Sequence, residues 1–191
     1  MRWFWIDKFL EFESGRRAVA LKNVSYGEEH VQDYVPGYGV MPASLLIEGL
    51  AQTGGLLVGE LNGFRERVIL AKLTRVVFHG HAVPGDALLY TAILEDAKAG
   101  GAFVGATAHV GPRLLAEAQI VFAHLDQRFS QVELFDPAEF LGILRSYGLY
   151  DVGRRSDGSP LEVPEHLLAA ERALSAGVGG SLRPVARSCR S

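Results

Sequence analysis

Between Pro42 and Leu61 the sequence shows no strand-like alternation, and Leu45, Leu46, Ile47, Leu50, Ala51, Leu56, Leu57 and Val58 spread around most of a helical wheel. A helix apolar on most sides is buried on most sides, so the rest of the chain has to surround it. Glu48, Gln52 and the glycines Gly49, Gly54, Gly55 and Gly59 interrupt the stretch. They argue for a buried helix and against a membrane span. The preceding loop, DYVPGYGVMP, carries two prolines and two glycines. It brings backbone close to a neighbour and delivers the chain into Pro42, whose fixed φ suits the start of a helix.

The flanking segments read as strands. Residues 16–24 alternate apolar with polar, and SYGEEH is a turn-like break. After the helix stop at Asn62-Gly63, segments 66–78, 86–96, 101–111 and 113–125 are rich in Val, Ile, Leu, Phe and Thr. Pro84-Gly85-Asp86, Gly100-Gly101 and Gly111-Pro112 punctuate them, which predicts an antiparallel meander. One strand, a long buried helix and four more strands give an α+β chain in which a curved sheet wraps the helix.

With 191 residues, 48% hydrophobic and 21% charged, the chain is long enough for one globular domain and an appendage. A net charge of -3 supplies no basic field for a phosphate backbone, so nucleic acid is not an expected partner. Cys189 stands alone and can make neither an internal disulfide nor a multi-cysteine metal site; this fits a reducing compartment, and the cytoplasm is expected. Asp7 and Lys8 break the apolar start before an export signal could develop.

The character changes after Asp126. Asp136-Pro137-Ala138-Glu139 combines an N-cap, a proline at the first helical position and an acid three residues after the cap, which predicts a helix from Pro137 to Tyr147 ending at Gly148. A further helix is expected over 164–174, followed from Ser175 by a Gly-, Ser- and Arg-rich mobile tail. The division is a domain at 1–126 and a helical extension at 127–191.

Ser44, Glu48 and Gln52 recur every four residues, placing three polar side chains on one stripe of an apolar rod. A carboxylate there must find hydrogen bonds or hold its proton, and a carboxylic acid protonated near neutral pH is what general-acid catalysis requires. A purely structural acid would instead be satisfied by Arg75, by a histidine or by a dimer mate. Unpaired N–H groups at the helix start lie near Glu48 and form a candidate oxyanion hole.

The loop and helix carry a resemblance. Asp33-Tyr34-Val35-Pro36-Gly37-Tyr38-Gly39-Val40-Met41-Pro42-Ala43, followed by Leu45-Leu46-Ile47-Glu48-Gly49-Leu50-Ala51-Gln52, is similar to the signature H-F-P-G-x-P-x-M-P-G…E-x-x-A-Q of FabA/FabZ-like 3-hydroxyacyl-[acyl-carrier-protein] dehydratases. Ile6-Asp7-Lys8 through Val24, Val83-Pro84-Gly85-Asp86 and Leu115-Ala116-Glu117-Ala118 resemble further family motifs, so the similarity spans roughly residues 3–126.

The resemblance implies a hotdog fold, with two subunits pairing their sheets edge to edge and building active sites at the interface. It implies Glu48, contributed by the partner subunit, as the acid acting on the departing hydroxyl and the Ala43 N–H as holder of the thioester carbonyl, with Ser44, Gly37, Met41 and Gln52 lining the site. Tyr34 occupies the place of the family's histidine. A phenol ionising near pH 10 is a poor base at neutral pH. Either Tyr34 is activated, or another base such as His30, His79 or His81 substitutes, or the dehydration is lost.

The expected activity is loss of water from a 3-hydroxyacyl thioester on acyl carrier protein or coenzyme A, in fatty-acid or related acyl-chain biosynthesis. No metal or redox cofactor is expected, and a glycine-lined acyl tunnel is. The alternatives are a hotdog thioesterase, with Glu48 positioning water, and a catalytically impaired acyl-binding subunit that partners an active paralogue in a mixed dimer.

Overall fold

The computed structural model describes residues 4–33, 37–125 and 136–179. The predicted central helix is α2, Ala43–Glu60, entered through Pro42. It packs against β2 (Arg17–Asn23), β3 (Arg67–Phe78), β4 (Ala87–Lys98), β5 (Gly101–Val110) and β6 (Arg113–Leu125). This is the hotdog arrangement: a sheet curved around one helix. The strand bounds agree with the periodicity to within two residues.

The strand order departs from the expected meander. The sheet runs β3-β6-β5-β4-β2-β1-β7, with β1 at Lys8–Glu13 and β7 at Gly153–Arg154. β4, β5 and β6 form a meander, but β3 lies on the far side of β6 rather than beside β4. The link 79–86 therefore crosses the end of the sheet, whereas the tight turns between β4, β5 and β6 permit only neighbours. β1 escaped the alternation because its register with β2 shifts between Phe9 and Glu11, which puts two exposed residues in succession. The stretch expected as a polar break holds a short helix, α1 (Glu29–Asp33).

The inner face of the sheet closes on α2 through Ala18, Ala20, Leu88, Tyr90, Ala92, Val104, Ala106, Ala118, Ile120 and Phe122, all buried. The helix glycines serve this contact. A Cβ on Gly49 would lie 2.3 Å from Tyr90 Cζ, one on Gly54 would lie 3.1 Å from Phe122 and Val104, and one on Gly59 3.1 Å from Phe64. Tyr90, Phe122, Val104 and Phe64 pack directly against these glycines.

The C-terminal segment builds α3 (Pro137–Ser146), α4 (Leu149–Val152), β7 and α5 (Glu165–Gly179). Asp136 Oδ1 accepts from the Ala138 and Glu139 N–H groups, both at 2.9 Å, as the capping pattern predicts. Helix α5 continues through Gly179 instead of stopping at Leu174, and the remainder of the expected tail, 180–191, lies outside the described residues. Leu141, Leu144, Tyr147, Leu149, Leu161 and Leu167 join the same buried cluster as Ile6, Phe9 and Phe12. β7 pairs parallel with β1, placing Gly153 beside Phe12.

At the C-terminal end of α2 the two parts share a polar junction. Ser14 Oγ donates to Glu60 Oε2 at 2.5 Å, and Arg155 of the extension stands close enough to act on that carboxylate. Burial raises the Glu60 pKa, and Ser14 and Arg155 offset part of the rise.

Candidate active site

The polar stripe on α2 forms a directed chain of hydrogen bonds. The Trp5 backbone N–H donates to Gln52 Oε1 at 3.0 Å, and Gln52 Nε2 donates to Glu48 Oε1 at 2.9 Å. The i, i+4 spacing brings Glu48 and Gln52 together, and Trp5 fixes which end of the amide faces the carboxylate. Both side chains are half-buried. Arg75, considered as a structural partner for Glu48, stands opposite Gln119 on the outer face of the sheet, away from the helix.

At the start of α2, the Leu45 and Leu46 N–H groups both return to the Pro42 carbonyl, at 2.9 and 3.3 Å. Pro42 offers no side-chain cap, which leaves the N–H groups of Ala43 and Ser44 without an intrahelical partner, one turn from Glu48. Ala43 is half-buried and the Ser44 side chain is exposed. Met41 is buried, and its N–H donates to the Ala82 carbonyl at 2.9 Å. That bond ties the loop before α2 to the 79–86 link. Gly37 lies in the same loop with φ +78, a left-handed conformation that favours glycine. Tyr34, with Val35 and Pro36, lies outside the described residues.

The histidines separate. His79 and His81 were expected on one side of a strand, but β3 ends at Phe78 and both lie in the link beyond it. His79 Nε2 is 2.8 Å from Glu117 Oε1 on the sheet rim, while exposed His81 directly precedes Ala82 and so lies beside the Met41 loop. His30, on α1, is half-buried with Nε2 3.0 Å from Glu28 Oε2, and its ring meets Trp5 edge-on at 4.6 Å.

Three groups near this site left no signal in the sequence pattern. The Trp5 contribution is a backbone donor, which residue identity does not reveal. Lys22 is buried on the inner face, its Nζ donating to Glu28 Oε1 at 2.5 Å and to the Asn23 carbonyl at 2.8 Å. Tyr90 is fully buried against Gly49, and burial together with Asp7 and Glu28 holds its phenol neutral. Among the described residues no group of three His, Cys, Asp or Glu side chains is placed to hold a metal ion, and no helix is long and apolar enough to cross a membrane.

A buried helix carrying a carboxylate one turn from N–H donors that have no intrahelical partner can protonate a leaving group while a carbonyl is held at the helix start. In comparison with known proteins, residues 3–119 match the model of the FabA-like domain. The chain belongs to the FabA-like family. Among its FabA-like relatives, the 3-hydroxyacyl-[acyl-carrier-protein] dehydratase FabZ of Pelotomaculum thermopropionicum is 40% identical over 119 residues, covering 62% of this chain and 85% of the relative. The enzyme of the same name from Moorella thermoacetica is 42% identical over 120 residues, covering 62% and 83%. Of solved structures, the dehydratase heterocomplex ApeI:P from Xenorhabdus doucetiae superposes with a TM-score of 0.55 at 14% identity, over 65% of this chain and 85% of that one, a likeness of fold.

Proposed function

We propose that this chain is a 3-hydroxyacyl-thioester dehydratase of fatty-acid or related acyl-chain biosynthesis, acting in the cytoplasm on an acyl group carried by acyl carrier protein or coenzyme A. The observation that carries the reading is the Glu48 carboxylate, held by Gln52 one turn from the Ala43 and Ser44 N–H groups, which have no intrahelical partner. The FabZ relatives at about 40% identity support the same chemistry.

In the reaction the thioester carbonyl accepts from the Ala43 N–H, which acidifies the C2 proton. Glu48 gives a proton to the 3-hydroxyl as the C3–O bond breaks and water leaves. The C2 proton passes to a base, and its electron pair forms the C2=C3 bond of a trans-2-enoyl product. Tyr34 occupies the sequence position where the family keeps that base, and His30, with Nε2 3.0 Å from Glu28 Oε2 and its ring packed on Trp5, is the candidate substitute.

The working unit is a homodimer. β3 supports this: it is a twelve-residue edge strand bonded only to β6 among the described strands, with Ile69, Leu70 and Phe78 each more than one third exposed. The presence of Tyr34 at the histidine position favours one second reading, an acyl-binding subunit that pairs with an active paralogue.

The test is hydration of crotonyl thioesters and dehydration of 3-hydroxyacyl thioesters, followed by absorbance. Glu48→Gln keeps an oxygen to accept from Gln52 but has no proton to give as an acid. It is expected to lower turnover about 10²- to 10⁴-fold. A comparable loss in Tyr34→Phe assigns proton transfer to the phenol; loss in His30→Asn alone assigns it to His30. Release of free thiol would overturn the reading in favour of hydrolysis. No turnover in the native chain, with activity gained in Tyr34→His, would establish the binding-subunit reading.

A further inference from the structure

We infer that the C-terminal extension, outside the span matched to the family, is a positioning device for the catalytic carboxylate, acting through Tyr147, the Phe4-Trp5 segment and Gln52. The inference rests on Glu48 being the acid of the proposed reaction.

The path is continuous. Tyr147, buried at the end of α3, meets the rings of Phe4 and Phe9 edge-on, at 5.9 and 6.3 Å, and its carbonyl accepts from the Phe9 N–H at 2.8 Å. β7 continues the grip along the same strand: Gly153 pairs with Phe12, and the Ser14 N–H donates to the Arg154 carbonyl at 2.8 Å. The extension therefore holds the free side of β1, which otherwise pairs only with β2 among the described strands. Trp5 enters that strand, and its N–H is the donor that orients the Gln52 amide.

An amide can present either end, and only one serves a carboxylate. With Trp5 donating to Oε1, Gln52 has to offer its Nε2 hydrogens to Glu48. If the first residues move away, Oε1 loses the Trp5 donor, and the amide is held less firmly in the orientation that offers Nε2 to Glu48. Tyr147 and Phe4 are thus positioning residues that act on the carboxylate without touching substrate.

The test uses full-length protein carrying Phe4→Ala or Tyr147→Leu. Two signals are followed: the side-chain amide resonances of Gln52 by ¹H–¹⁵N NMR, and kcat and KM for hydration of crotonyl thioester. The expected result is a shifted or broadened Gln52 amide with β4–β6 signals retained. With it, kcat should fall about three- to tenfold, the loss of one hydrogen bond, and KM should stay within about twofold. In a Gln52→Ala background the same substitutions should have no further effect on kcat, because the path runs through that amide.

An unchanged Gln52 signal in both folded variants would overturn the inference, as would losses that multiply with those of Gln52→Ala. Should Tyr147→Leu fail to fold, Phe4→Ala keeps the question open to decision, since Phe4 is 47% exposed and outside the core. Absence of turnover in the native chain would count against the dehydratase reading, while the Gln52 resonances would still decide whether the extension holds the amide.

Discussion

Single residues on α2 carry two kinds of constraint, one polar and one steric. The polar one was legible in the sequence. Glu48 and Gln52 are four apart on a helix, and the structure joins them by a hydrogen bond. The donor that orients Gln52 was not legible, because a backbone N–H belongs to every residue and only the fold says that Trp5 delivers it. The steric constraint appears at Gly49, where a methyl group would overlap the Tyr90 ring at 2.3 Å. Gly49→Ala is expected to cost about 1–3 kcal/mol, the usual price of overpacking a core, measured by urea unfolding. Glu60 makes a pH prediction. Its folded pKa is raised, mainly by burial, so its contribution to stability is complete below the ordinary value of 4.5 and is lost as pH rises through the folded value. Glu60→Gln removes the titration and still accepts from Ser14. The variant should gain on the native chain in stability as pH rises from 4.5, and an equal pH dependence in both would refute the assignment.

Among the elements, those defined by local rules were readable and those defined by partners were not. α2 announces itself through apolar residues on most sides, and α3 through its Asp136 cap and Pro137. β4, β5 and β6 follow from alternation and tight turns. Their place beside β3 does not, because alternation describes faces and says nothing of which strand lies next. The four-residue α4 and two-residue β7 are too short for any period to emerge, and exist because they dock on β1. The histidines show the same limit. His79 and His81 continue the pattern of β3, yet the strand ends at Phe78, and past the His79 N–H, which still donates to the Leu115 carbonyl, the chain leaves β6 for the link.

On the scale of the whole molecule the two margins of the sheet are treated differently. The β1 margin is covered by the extension, whereas β3 presents twelve residues of edge. If the chain pairs through β3, replacing the exposed Ile69 and Leu70 together by Glu sets like charges facing each other across the junction. Sedimentation should then show half the native mass, with turnover lost if each site draws on both subunits; native mass and full activity in this variant would exclude β3 as the contact.

The pairing of Phe12 with Gly153 also orders events in time. A ribosome releases β1 early and β7 late, so during synthesis the first strand waits with one side open until the extension emerges. The helix and its carboxylate can be sheltered by β2 to β6 well before then. A nascent chain arrested after β6 would therefore hold a curved sheet around α2 with the outer side of β1 still unpaired.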